Sequence, residues 1–541
     1  MSRGQELNAF VKPQPGVVLY GAQELFCRGS IMALGSVVTE VGTGGEAPLS
    51  RRRARVVLWL VTATLTGGVI MGLELLGFRL YSPYFGYSIY VWGSMIAVVM
   101  AALAAGYGLG GWLADRSRND TPLYLTILAS GIYQLIIVYT ADYILKWLET
   151  AGVFTGTILA SLIIFAPPMM ALAGTSPFVI RLLARSGRVG SSAGKVYALS
   201  TVGSIAGVLL TSFFLIPSWG THATLQVLCA VSVAVGVTGL TAHRVWVLLS
   251  IVVLALLAAS PAPKLLFFEV WRAESVYNEV RVLHYGGYLC LALNDLRLSH
   301  TTFKDNSVWS GYYQDVFVLG PVLVHRPRLL VLGMGAGASI RMTRFADPSA
   351  HVDAVEIDPL VVEAAQRFFG LPRNASWLQV HIADARPWLE RDRGTYNLAH
   401  VDLYQGGPYV PFYLATEEFF RLVQSRMSPE GLLMMNVFDA GKSRELLFST
   451  AATLKRVFPT VLVYSDVPMS YMLFAFRERR TLASVRAELE RAQGDPGIVH
   501  MAQAAASGIG ELDPPSDALA FTDDLAPIEP MTRRMLAQYF R

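Results

Sequence analysis

Three acids stand at the ends of three successive apolar runs in the second half of this 541-residue chain: Glu356 closes VDAVE, Asp384 follows LQVHIA, and Asp402 follows NLAHV. Ahead of them the run Leu329–Leu332 breaks into Gly333-Met334-Gly335-Ala336-Gly337. Glycines let a backbone approach a ligand closely, and a carboxylate about twenty residues later can accept both hydroxyls of a ribose. The chemistry this predicts is nucleoside binding, with Gly333, Gly335 and Gly337 making room and Glu356 taking the sugar. Asp384 is then placed for an adenine amino group, and Asp402 for the reacting end of the ligand.

Such acids converge only if the runs are neighbouring strands of one sheet. Apolar runs at 328–333, 351–357, 377–383, 397–402, 431–438, 460–465 and 471–477 read as strands, and 337–346, 359–369, 385–391, 415–427 and 443–458 as helices. That alternation predicts a parallel, Rossmann-type sheet of the methyltransferase kind, with ligand at the carboxyl ends of its strands. Val270–His284 and Tyr288–Leu298, joined at Gly286-Gly287, predict a small β region in front of it. Residues 480–506 have helical composition and are expected to cover a sheet edge. Asp523 and Asp524, with Asp517 and Glu529 nearby, read as a capping turn or solvated tail rather than a metal site.

The first half differs in kind. The chain is 53% hydrophobic and 16% charged, with mean hydropathy +0.43, too apolar for an ordinary soluble domain. Seven apolar segments, about 56–80, 91–114, 123–147, 156–180, 194–216, 222–240 and 245–260, are mostly long enough to cross a bilayer. The expected organisation is a disordered segment at 1–50, a multi-span bundle at 51–264, the β region at 265–325 and the α/β domain at 326–541. Ala102, Gly106 and Gly110, and again Gly203 and Gly207, repeat small residues every four positions, the spacing at which helices touch closely in lipid. Glu74 and Arg79 read as an interfacial anchor of the first span.

Residues 1–264 carry a net charge of +8 and residues 265–541 a net charge of −4. The second half has no basic stripe interleaved with aromatics, so nucleic acid is not an expected partner. Cys27, Cys229 and Cys290 are too scattered for a disulfide framework or a metal site. Lys and Arg gather before the first span and at Arg116, Arg118, Arg181, Arg185, Arg188, Lys195 and Arg244, always on one side, which the positive-inside rule makes cytoplasmic. Seven crossings then put the C-terminal domain outside, whereas the supply of a nucleoside donor favours the cytoplasm; the sequence leaves both open.

From about Glu269 to Phe476 the chain resembles the spermidine synthase (polyamine aminopropyltransferase) family. Glu274-Ser275-Val276-Tyr277-Asn278 is similar to that family's Glu-Ser-Pro-Tyr-Gln, and Leu291-Ala292-Leu293-Asn294 to its Leu-x-Leu-Asp. Tyr313-Gln314-Asp315 falls at its Tyr-His-Glu, and Val355-Glu356-Ile357-Asp358 matches its ribose motif. Thr416-Glu417-Glu418-Phe419-Phe420 resembles its Thr-Glu-Glu-Phe-Tyr. With several spans in front, the whole chain resembles the membrane-fused bacterial members. The resemblance implies decarboxylated S-adenosylmethionine as a co-substrate, no tightly bound cofactor, and an amine such as putrescine as acceptor. It implies donor contacts at Gly333, Gly335, Gly337, Glu356, Asp384 and Asn278, and acceptor chemistry at Asp402, Gln405, Tyr313 and Asp315. Lipid and a second copy of the chain complete the expected partners.

The sequence departs from the family pattern where the acceptor reacts. The family's Asp-Ser-Ser-Asp is Asp402-Leu403-Tyr404-Gln405 here, and a glutamine cannot take the proton an attacking amine must lose. The glycine-turn acid is Ala336, and Gln314 stands for a histidine. Two rival readings therefore stay beside aminopropyl transfer: transfer from intact S-adenosylmethionine to another nucleophile, and binding of a nucleoside or polyamine without chemistry, as in a sensor or transporter.

Overall fold

The computed structural model describes residues 49–85, 89–184, 189–240, 267–294 and 299–539. The expected segment 1–50 falls almost wholly outside them, as do the seventh apolar segment at 245–260 and the end of the second β-region run at 295–298.

The first half is helical: α1 (Leu49–Phe85), α2 (Ile89–Arg116), α3 (Thr121–Glu149), α4 (Val153–Ile164), α5 (Ala166–Ala173), α6 (Thr175–Leu183), α7 (Val189–Leu210) and α8 (Ile216–Leu240). Four stretches among the described residues are long and apolar enough to cross a membrane: Arg53–Ser82, Ile89–Arg116, Thr121–Glu149 and Val189–Leu240. Taking Val153–Ile164 with Ala166–Leu183 as one span makes a fifth, bent by 47°. The expected straight span at 156–180 is thus broken. Pro167 and Pro168, in the first turn of α5, lack the N–H groups that would continue the helix. The expected segments 194–216 and 222–240 lie in one helical stretch interrupted at Gly220, whose φ of 79° belongs to the left-handed region.

Gly220 reverses the chain. On one side of it Gly203 meets Thr64 and Gly207 meets Gly68, so α7 runs parallel to α1. On the other, Gly236 meets Leu128 and Gly131 meets Val233, so α8 runs antiparallel to α3. The expected small-residue seams are used: a Cβ on Gly203 would lie 1.8 Å from the Thr64 carbonyl oxygen, and one on Gly110 would lie 2.3 Å from Gly174 Cα. Gly203→Val should therefore cost roughly 1–3 kcal/mol or more through overpacking, read as a fall in the thermal midpoint of the detergent-solubilised protein. An unchanged midpoint would mean that these helices do not meet at this seam.

The second half begins with an antiparallel sheet ordered β1-β2-β3-β4, from β1 (Glu269–Glu274), β2 (Glu279–Tyr285), β3 (Tyr288–Leu293) and β4 (Thr301–Lys304). The expected single strand 270–284 is two strands, because Ser275–Asn278 turns out of the sheet to bond Asp358. The main sheet is ordered β12-β10-β11-β9-β8-β5-β6-β7, with β5 (Arg328–Leu332), β6 (His351–Glu356), β7 (Leu378–Ile382), β8 (Tyr396–Val401), β9 (Met427–Phe438), β10 (Thr460–Tyr464), β11 (Ser470–Phe476) and β12 (Gly510–Glu511). Strands β5 to β9 are parallel, as expected. The far edge is not: β11 inserts between β9 and β10, antiparallel to both, so the sheet is mixed. Helices α9 (Ala338–Ala346), α10 (Pro359–Phe368), α11 (Ala385–Arg391), α12 (Glu417–Ser425), α13 (Glu445–Lys455), α14 (Leu482–Glu490), α15 (Pro496–Gly508) and α16 (Ile528–Tyr539) surround it. Two apolar cores, one with Leu329, Val331 and Phe474 and one with Leu330, Leu332 and Leu473, show that both sheet faces are covered. Residues 480–506 supply α14 and most of α15, packed in the first of these cores through Val485, Leu489 and Ala502.

The two halves meet through specific polar contacts. Thr221, just past the chain reversal, donates its N–H and hydroxyl to the Glu274 carboxylate at 2.8 and 2.6 Å. Arg79 donates to the Ser275 carbonyl, so the residue read as an interfacial anchor holds the C-terminal half. The Ile89 N–H donates to Glu529 at 2.7 Å, and Arg533 stacks 4.3 Å over Tyr90. These contacts fall at the helix ends opposite those carrying Arg53, Arg55, Arg116 and Arg181.

Candidate functional site

The carboxyl ends of β5, β6, the run following β7, and β8 open into one cavity. It is lined by Gly333, Gly335, Glu356, Asp384, Asp402 and Gln405, together with Asn278, His300, Tyr313, Gln314, Tyr404 and Tyr413. Parallel pairing of β5 with β6 and with β8 fixes this convergence, since neighbouring parallel strands deliver their last residues to the same edge. The glycine turn is strained in the way only glycine tolerates: Gly333, Gly335 and Gly337 have φ of 80°, 52° and 86°. A Cβ at Gly333 would lie 2.4 Å from the Asp402 carbonyl oxygen, so the turn and the β8 end pack backbone to backbone.

Glu356 faces this turn. One carboxylate oxygen accepts the Met334 and Gly335 N–H groups at 3.1 and 3.2 Å, the other the Asp358 N–H at 3.1 Å. Burial raises its pKa to about 7 despite these bonds. An acid whose folded-state pKa lies above its ordinary value loses stabilisation as pH rises, here through the window from 4.5 to about 7. Ribose hydroxyls donate to the ionised form, so a bound nucleoside pulls this pKa down. Binding of methylthioadenosine at pH 6 should therefore release up to one proton and at pH 8.5 almost none, measured by calorimetry in buffers of different ionisation heat. Affinity that stays flat from pH 5.5 to 8 would contradict the ribose role.

Asp384 caps α11 through the Arg386 N–H at 3.1 Å, and its other oxygen accepts the Tyr413 hydroxyl at 2.8 Å. Asp402 accepts the Tyr313 hydroxyl at 2.8 Å and an Asn436 side-chain N–H at 3.2 Å, and burial raises its pKa to about 6. Tyr313 is pushed well above its ordinary range, by burial first and then by Asp402, so it remains a donor. Tyr404 donates to the Asn436 carbonyl at 3.1 Å and accepts the Phe438 N–H at 2.8 Å, which makes it a fixed wall. The Gln405 N–H closes a turn on the Tyr409 carbonyl at 2.8 Å. Gln314 is buried, and its side-chain oxygen has no hydrogen-bond partner.

Two expected site residues do other work. Asp315 accepts the Ser310 N–H and hydroxyl and the Gly311 N–H at 2.7–2.9 Å, is not among the cavity-lining residues, and fixes the segment before Tyr313. Asn278 lines the cavity but spends its side chain on Asp358 at 3.0 Å and Asn294 at 2.9 Å. Asp358, fully buried, also accepts the Ser275 hydroxyl at 2.6 Å and caps α10 through the Leu360 N–H. This clamp between the β region and the main sheet was missed from sequence, although Asp358-Pro359 carries a helix-start signal. Tyr413 was also missed, since it sits in no pattern that announces a site, and His300, which as an isolated histidine reads as a structural residue, lines the cavity. Asp523 is bound by Arg386 at 2.8 and 2.6 Å and by the Thr416 hydroxyl at 2.7 Å, a structural latch. No group of acids, histidines and cysteines suited to a metal occurs among the described residues.

Fold and cavity together define an α/β domain with a pocket at the carboxyl ends of its parallel strands, lined by the acids Glu356, Asp384 and Asp402. Residues 312–475 match the spermine/spermidine synthase domain, so the second half of the chain carries a domain of that kind. The chain is 26% identical over 303 residues to a probable polyamine aminopropyl transferase of Bifidobacterium longum (strain NCC 2705), covering 52% of this chain and 66% of that protein. It is 29% identical over 194 residues to a polyamine aminopropyltransferase of Vibrio vulnificus (strain CMCP6), covering 34% of this chain and 63% of that protein. It is also 28% identical over 180 residues to the Homo sapiens eEF1A lysine and N-terminal methyltransferase, covering 29% of this chain and 25% of that protein. The matched region thus spans just under two thirds of either aminopropyltransferase.

Proposed function

We propose that this chain is a membrane-bound transferase moving an aminopropyl group from decarboxylated S-adenosylmethionine to an amine. The observation that carries the reading is a buried carboxylate, Asp402, held by Tyr313 and Asn436 in the same cavity as Glu356 and Asp384. Glu356 takes the ribose hydroxyls and Asp384 the adenine amino group, with Gly333, Gly335 and Gly337 clearing space for the chain between them. The amine lone pair attacks the propyl carbon on the sulfonium, the carbon–sulfur bond breaks, and its electrons leave as neutral methylthioadenosine. Asp402 takes the amine proton. A base of pKa about 6 suits proton transfer near neutral pH, and the adjacent sulfonium lowers the amine's own hold on its proton. Gln405 supplies hydrogen bonds but no charge, and Asp315 acts only through the segment that positions Tyr313.

A second reading is favoured by one observation. With Ala336 in the glycine turn, only Asp402 among the described lining residues is a carboxylate near the reacting end, so a donor ending in a free ammonium has one acid to share with its acceptor. Methyl transfer from intact S-adenosylmethionine has a smaller cationic load there. Supplying the full-length protein with either donor and putrescine separates the two. Methylthioadenosine from the decarboxylated donor supports the first reading; S-adenosylhomocysteine from the intact one replaces it with the second.

We also propose seven crossings. Residue 240 lies at the Tyr124 end of α8, whereas β1 lies at the Gly220 end, about 30 Å away for twenty helical residues. The seventh crossing proposed is the apolar segment 245–260, whose length and composition suit it. The basic helix ends mark the cytoplasmic side, which sets the transferase domain on the other side, where donor must be delivered. Reporter fusions after residues 242 and 264 should fall on opposite sides; both on the same side would refute the seventh crossing.

A further inference from the structure

A second cavity, of about 600 Å³, lies on the seam between the two halves. Its membrane-side wall comes from helix ends, with Tyr84, Phe85, Glu149 and Phe154; its opposite wall comes from the loop Gly406–Tyr409 and from Arg533 and Leu536 of α16. That loop is shared. Asp402–Gln405 lines the donor cavity, and the next four residues line the seam. Where the chain passes from one cavity to the other, Gly406 and Gly407 carry no side chain and adopt φ of 58° and 96°.

The helix ends that frame the seam belong to stretches long and apolar enough to cross a bilayer. Tyr143, Trp147 and Phe154, at these same helix ends, are 79%, 71% and 54% exposed, the placement of an interfacial aromatic belt. An amphiphile in that leaflet holds its headgroup at this level. The lining suits one: Phe85, Phe154 and Leu536 for a chain, the Glu149 carboxylate for an amine and the Arg533 guanidinium for any acidic group beside it. At the reacting end, Asp402 shares the cavity lining with the neutral Gln314 and Gln405, which provides a counter-charge for one ammonium rather than the several of a polyamine.

Building on the transferase reading above, we infer that the acceptor is a primary amine carrying an alkyl or acyl chain, admitted from the membrane plane through the seam past Gly406 and Gly407. Its nitrogen forms the new carbon–nitrogen bond, methylthioadenosine leaves with the electrons of the broken carbon–sulfur bond, and the proton passes to Asp402. A free long-chain amine and an aminophospholipid share this chemistry.

The test uses full-length protein in phosphatidylcholine vesicles with decarboxylated S-adenosylmethionine, measuring methylthioadenosine release with putrescine, with dodecylamine, or with phosphatidylethanolamine added to the vesicles. At least one chain-bearing amine should exceed putrescine in kcat/KM by tenfold or more, and which one identifies the source. Thr155→Trp, filling the seam from the membrane side, and Leu536→Trp, filling it from the other, should each lower that rate at least tenfold without changing turnover of putrescine or affinity for methylthioadenosine. Preference for putrescine, or equal loss with all amines, overturns this inference and leaves the transferase reading standing. No product from any amine, with no methylthioadenosine bound, overturns both.

Discussion

Replacing Asp402 by asparagine is expected to slow transfer about 10²–10⁴-fold, the usual contribution of a positioned general base. Asparagine preserves the shape of the side chain and still accepts the Tyr313 hydroxyl, so methylthioadenosine should bind with little change. The pH profile separates loss of a base from loss of structure. Burial raises the Asp402 pKa to about 6, and a base acts only when ionised, so the wild-type rate should climb as pH rises through about 6. In the asparagine variant that limb should vanish. A surviving limb near pH 6 would assign the proton to another group and remove Asp402 from the chemistry.

Glu356→Ala carries the second large effect. Hydrogen bonds from ribose hydroxyls to an ionised carboxylate are worth about 1.5–3 kcal/mol each, so losing two should weaken nucleoside binding by about 10²–10⁴-fold. Equilibrium dialysis with labelled methylthioadenosine would measure it. Because Glu356 also holds the Met334 and Gly335 N–H groups, alanine loosens the turn as well. Glu356→Gln isolates the charge, since its amide oxygen still accepts from the turn. The glutamine variant should bind more weakly than wild type above pH 7 and approach it near pH 5, where the wild-type carboxyl is itself protonated. Unchanged affinity in the alanine variant would dismiss the sugar contact.

How much of this was legible in advance follows from the range of the interactions. The strand-end acids and the glycine turn are local signals: each lies within a few residues of the apolar run that positions it, and parallel strand order brings them together. Glu356, Asp384 and Asp402 therefore reach one cavity as the sequence implied. Asp315 is the counter-example. Its spacing resembled a site acid, but its partners Ser310 and Gly311 precede it in a loop with no periodic pattern. The insertion of β11 between β9 and β10 was hidden for the same reason. A hairpin and a parallel crossover begin with the same apolar runs, and the connection decides between them. In the helical first half, hydropathy located the apolar segments but not the turn at Gly220 or the bend at Pro167-Pro168, because both are backbone events inside continuous apolar sequence. The seam cavity had no sequence signature at all. It exists because Arg79, Thr221 and Ile89, far from the domain in sequence, hold the two halves together at one set of helix ends.

The most direct test is an experimental structure of the full-length protein with methylthioadenosine bound. The ribose hydroxyls should lie within hydrogen-bond distance of the Glu356 carboxylate, the adenine amino group beside Asp384, and the sulfur toward Asp402 and Gln405. A ligand seated elsewhere, or one in this cavity with its sugar turned from Glu356, would contradict the account.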